Sequence, residues 1–161
     1  MSATRDIVAT YRGPRAVMRR LLQAGPREDR ALVFLICGCL IVFVAQWPRL
    51  AREAYLTGQE LNPLLGGALL GWVFMAPLFF YALALVSHWV LRLLKGHNTA
   101  YEARMALFWA FLASSPLFLL HGLVAGFIGP GPGLLGVGFV WCAIFLWFWI
   151  ACLQEAGWGK E

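Results

Sequence analysis

Four long apolar blocks, separated by short polar or turn-forming stretches, organise this chain. The first covers residues 31–47, ALVFLICGCLIVFVAQW, and carries no charged side chain. Pro48, Arg49 and Arg52 mark its far end, and a loop over residues 49–62 follows. Asn62 and Pro63 then read as an N-cap with proline at the first helical position. The second block, residues 64–91, amounts to roughly 42 Å of helix. That is too long for a vertical span and too short for two spans with a turn. The pattern predicts one tilted or kinked helix, with Pro77 as the kink. Thr99 and Glu102 have capping-box spacing ahead of the third block, residues 105–128, which Ser114, Ser115 and Pro116 interrupt. The uncharged turn GPGPG at 129–133 leads to the fourth block, residues 134–153. Residues 154–161 read as a short polar tail.

The first 30 residues break this pattern. They are polar and basic, and within them residues 14–24 have the spacing of a short amphipathic helix. Pro14 opens it, Val17, Met18, Leu21 and Leu22 form its apolar stripe, and Gly25-Pro26 closes it. Arg15, Arg19 and Arg20 make the polar side a candidate contact for lipid headgroups or for a partner. Packing of the same helix on the protein's own surface is the competing expectation.

Composition turns the blocks into a class. Hydrophobic residues make up 61% of the chain, charged residues 13%, and the mean hydropathy is +0.71. A soluble domain usually carries about 25% charge. The expected fold is an all-α integral membrane protein, a four-transmembrane-helix bundle preceded by a short amphipathic N-terminal helix. No cleavable leader is visible before the first block, so that helix is expected to act as an uncleaved anchor. The net charge of +5 does not indicate nucleic acid, because the basic residues form no stripe interleaved with stacking aromatics. They sort by side instead. The N-terminal segment, the 92–104 turn and the tail hold eleven Lys and Arg, and the other side holds Arg49 and Arg52. The positive-inside rule places both termini in the cytoplasm of a multi-pass cell (inner) membrane protein.

Candidate chemistry within the spans is sparse. His88 and His121 differ by about 20 Å in expected depth at 1.5 Å per residue, so the pair makes a poor haem site. Each alone remains a candidate intramembrane polar residue. Cys37 and Cys39 point about 200° apart on a helix and cannot share a metal. They, Cys142 and Cys152 read as small core residues. The carboxylates all fall in tails, loops or caps, which removes the usual acidic element of proton relays. No cofactor or metal is expected, and no nucleophile elbow, phosphate loop or zinc-protease motif occurs. Packing signals are stronger. Gly67 with Gly71, and Gly122 with Gly126, have the small-xxx-small spacing that lets helices approach, here expected inside the bundle in preference to an oligomer interface. Pro77 and Pro116 are candidate hinges, with Ser114 and Ser115 placed to satisfy backbone groups that Pro116 frees.

Three stretches carry a family resemblance: YRGPRAVMRRLL, SHWVLRLLKGHNTAYEARMALFWAFLASSPLFLLHGL and WCAIFLWFWIACLQEAGW. Their order and spacing resemble the Yip1 domain family of membrane proteins in its compact bacterial form. The resemblance implies a polytopic helical protein without catalytic activity. Eukaryotic members are associated with Rab GTPases and vesicle traffic, and usually have five spans and a longer N-terminal region. This chain has four and a short one, and no functional residue carries over. Arginine outnumbers lysine eleven to two, as in chains from GC-rich bacterial genomes. The expected function is a non-enzymatic scaffold or membrane-organising protein whose partners are the lipid bilayer and another membrane protein or a second copy. The alternative is a small transporter or channel subunit acting as an oligomer.

Overall fold

The computed structural model describes residues 3–159 and is helical almost throughout. Two short helices come first, α1 (Ala3–Thr10) and α2 (Pro14–Gln23). Then follow α3 (Glu28–Thr57), α4 (Leu61–Leu69), a π-helical stretch (Leu70–Met75), α5 (Ala76–Leu93), α6 (Ala100–Phe127) and α7 (Pro132–Trp158). Four segments are long and apolar enough to cross a membrane: Glu28–Thr57, Leu61–Leu93, Ala100–Phe127 and Pro132–Trp158. The chain therefore has the architecture of a multi-pass membrane protein, as its pattern predicts. Lys160, counted above with the basic tail, lies outside the described residues.

Helix α6 is the axis of the bundle. Its first half, Tyr101 to Ser115, is buried on all sides apart from the half-buried Arg104. Small residues explain how neighbours come so close: Ala103, Ala106, Ala110 and Ala113 recur at three- and four-residue spacing and are fully buried. Helix α3 runs along one side of α6 and α7 along the other. Helix α5 covers only the first half, with Phe80 on Phe111 at 4.3 Å and Tyr81 on Phe108 at 5.1 Å between ring centroids. Beyond Ser115 the bundle is looser. Neither α4 nor the π-helical stretch has a buried residue. The bundle is thus dense at the end carrying the N-terminus and open at the other.

Several boundaries differ from the sequence-based expectation. Helix α3 does not stop at residue 47. It passes through Pro48 and continues to Thr57, where Gly58 caps it in the left-handed conformation at φ 68°. Proline inside a helix costs a hydrogen bond. Here Pro48 is held by α6, because Gly126 lies so close that a Cβ on it would overlap Pro48. Helix α4 begins at Leu61 with Glu60 as its N-cap, so Asn62 is already helical. The capping box before α6 is present in full: the Thr99 N–H donates to Glu102 Oε2 at 2.7 Å, and the Glu102 N–H to Thr99 Oγ1 at 3.2 Å. The residues read as a tail extend α7 to Trp158.

The two mid-span prolines are accommodated differently. Before Pro77 the chain widens into the π-helical stretch, and the Ala76 N–H bonds five residues back to the Gly71 carbonyl. The wider turn relieves the clash a proline ring makes with the preceding turn of an α-helix. Pro116 sits inside a continuous α6 and leaves the Leu112 carbonyl without its helical donor. The Ser115 hydroxyl takes that place, donating to Leu112 O at 2.7 Å, and Ser114 donates to Phe111 O at 3.0 Å. Ser115→Ala should therefore lower stability in detergent by about 1–3 kcal/mol, the cost of a buried unpaired carbonyl. The same change in a Pro116→Ala background should cost much less. Equal losses in the two backgrounds, read by denaturant unfolding, would rule out this pairing.

Candidate functional site

The N-terminal segment is the part of the chain that no membrane-spanning requirement explains. It folds as a helical hairpin, α1 then α2, laid over the dense end of the bundle. Gly13 and Pro14 start α2 and turn the chain, and Gly25 at φ 85° ends the passage into α3. Helix α2 has the expected stripe: Val17, Met18 and Leu21 are buried against the bundle, with α7 as the main neighbour. The apolar face that could enter a bilayer is used inside the protein.

Polar contacts fix the hairpin in place. The Thr10 hydroxyl accepts from the Trp109 indole N–H at 3.1 Å and donates to Asp6 O at 2.7 Å. Trp109 is fully buried, and its N–H has no access to water, so Thr10 supplies the partner it needs. Arg19 pairs with Glu155 near the end of α7 through Nε at 2.6 Å and Nη2 at 3.2 Å. This hydrogen bond, and then the charge attraction, holds the Arg19 guanidinium above its already high ordinary pKa. Arg20 reaches Asp6 at 3.1 Å, and Arg15 bonds to Gln154. Tyr11 packs edge-on to Phe148 with centroids 4.9 Å apart, and burial pushes its phenol pKa up. The three arginines proposed for lipid or partner contact thus all bond within the chain, while their side chains stay on the surface.

The same end is tied together elsewhere. Arg104 pairs with Glu28, the His97 N–H donates to Gly157 O at 3.0 Å, and Asn98 lies 3.1 Å from His88 Nδ1. Left outward are Arg5, Arg12, Arg92 and Lys95, all exposed and without an ion pair among the described residues. The charge imbalance read from the sequence becomes a basic face.

The remaining candidate residues do not converge. His88 is half-buried and hydrogen-bonded at the dense end. His121 is in the open half, beside the Phe118 ring at 5.6 Å and facing Gly138. Ser114, Ser115 and Pro116 form one backbone device in α6, and Pro77 belongs to another in the second span. Gly122 and Gly126 are close-contact positions against Ala45 and Pro48 of α3. Gly67 and Gly71 are not: a Cβ at either would meet nothing within 4 Å. The two pairs share a spacing, and only Gly122 and Gly126 have a neighbouring helix at close range. Cys39 and Cys152 are buried, whereas Cys37 and Cys142 are exposed on the spans. Glu155, read from sequence as a tail residue, is buried in α7, and Asp6 is buried in α1. Arg52, a flanking charge in the sequence pattern, donates to the Gly126 and Phe127 carbonyls at 3.3 and 3.5 Å, a positive charge at the negative end of α6. No three His, Cys, Asp or Glu side chains meet among the described residues.

Comparison of the chain with protein-family models, with curated proteins and with solved structures yields no match.

Proposed function

We propose that the protein is a non-enzymatic membrane scaffold that presents its docked N-terminal hairpin to a partner at the cytoplasmic face of a bacterial inner membrane. The observation that carries this reading is the hairpin itself. Residues 3–23 add nothing to membrane crossing, yet Thr10 and Arg19 fasten them to the bundle and Arg20 ties α2 to α1 through Asp6, while Arg5 and Arg12 are exposed and have no ion pair among the described residues. A preordered basic surface binds an acidic partner without first losing entropy. The Lys and Arg distribution supports the cytoplasmic placement of both ends, and the Yip1-like order of elements fits a role without catalysis.

The test is affinity purification of the full chain in mild detergent beside an Arg5→Glu, Arg12→Glu variant. A partner retained by the native chain and lost by the variant is the expected result. Retention by both would reject the hairpin as the docking surface. A second reading, a transporter or channel subunit acting as an oligomer, draws support from the unfilled surface at Gly67 and Gly71. Solute flux in reconstituted vesicles, with no partner found, would favour it.

A further inference from the structure

Three hollows meet around Gln154, one turn before the end of α7. One, of about 470 Å³, lies beneath the α1–α2 turn and is walled by Gly13, Pro14, Trp147, Ile150 and Ala151. A second, of about 350 Å³, lies between α5 and α7, with Val86, Leu91, Trp149 and again Ile150 among its walls. Both are apolar, and both open on the side of the spans. The third is polar and sits at their common rim, formed by Arg15, Arg19, Gln154 and Glu155. Ile150, half exposed, is therefore a ridge with an apolar hollow on each flank and a polar rim one helical turn beyond.

We propose that this site binds an anionic glycerophospholipid, its phosphate on Arg15 and its two acyl chains in the hollows on either side of Ile150. The inference rests on the chain's membrane placement and on the α2–α7 contact, and it does not require the scaffold reading. Hydrocarbon is the occupant suited to apolar hollows on membrane-spanning helices, since water there would face almost no polar surface. Charge selects the headgroup. Glu155 neutralises Arg19. Among the described residues Arg15 bonds to the uncharged Gln154 and has no ion pair, and neither has Arg12, two residues before Pro14. The rim thus keeps uncompensated positive charge where a phospholipid carries its phosphate. Arginine suits that contact because its planar donors match phosphate oxygens in pairs.

Native mass spectrometry of the full chain, released from detergent with added phosphatidylglycerol or phosphatidylcholine, tests this. The native protein should retain phosphatidylglycerol in preference to phosphatidylcholine, and Arg15→Gln should lose about fivefold of that preference, the effect of one basic group near anionic lipid. Arg49→Gln, at an exposed arginine on the far part of α3 away from the rim, should leave it unchanged. Val86→Trp, which fills the α5–α7 hollow from an exposed position without touching the core, should lower retention of both lipids. Undiminished preference in Arg15→Gln, or undiminished retention in Val86→Trp, would overturn the proposal. So would a lipid-free dimer as the main species, which would make a second copy the occupant.

Discussion

Gly122→Ala is expected to destabilise the bundle by about 3 kcal/mol, the upper part of the usual range for overpacking. The reason is geometric. An added Cβ would overlap the Ala45 carbonyl oxygen, a backbone atom of α3 that no side-chain rotation can move away. Helices α3 and α6 share the longest contact in the fold, so separating them by a methyl group disturbs the axis of the bundle. Gly126, one turn on, is equally close to Pro48, and the two contacts would be lost together. The comparison that isolates packing from glycine chemistry is Gly67→Ala. A Cβ there would meet no atom of another helix within 4 Å, so alanine should be neutral or stabilising by up to about 1 kcal/mol. Unfolding in detergent, followed by circular dichroism, reads both. Similar effects at the two sites would contradict the packing described.

The second large effect is expected at Trp109. Truncation to alanine should cost about 3–5 kcal/mol, as for other fully buried large aromatics. Part of that loss is specific to the N-terminal hairpin, because the indole N–H is bonded to Thr10. Thr10→Val keeps the shape but strands the N–H, at a cost of about 1–3 kcal/mol. In a Trp109→Phe background no N–H remains to be stranded, and Thr10→Val should then cost less, because the bond to the Asp6 carbonyl is lost in both backgrounds and only the indole contact differs. The difference between the two backgrounds measures the contact directly. Equal costs would mean that α1 is not seated on α6.

Much of this architecture is legible in the sequence, for local reasons. Four apolar blocks give four spans because the bilayer imposes length and composition on each helix separately. Pro14, the Thr99–Glu102 capping box and the Ser115–Pro116 pair are likewise signals within one or two turns, and the structure realises each. Positions settled by distant partners are not legible. Pro48 reads as a helix end until Gly126, far along the chain, is found packed on it. Glu155 reads as a tail residue until Arg19 covers it, and the hairpin's resting place depends on pairs such as Arg15 with Gln154, which no spacing rule connects. The glycine pairs show the limit most clearly. Gly67–Gly71 and Gly122–Gly126 have identical spacing, and only the neighbour decides which is a contact.

The central claim is that the N-terminal helices form a fixed cap on the bundle rather than a free amphipathic arm. A chain with its four native cysteines replaced by alanine, and carrying Arg15→Cys and Gln154→Cys, tests it most directly. A short thiol-to-thiol crosslinker added in detergent should join the two cysteines within one molecule at high yield, seen as a shifted band that reduction reverses. Two freely reacting cysteines with no intramolecular link would contradict the account.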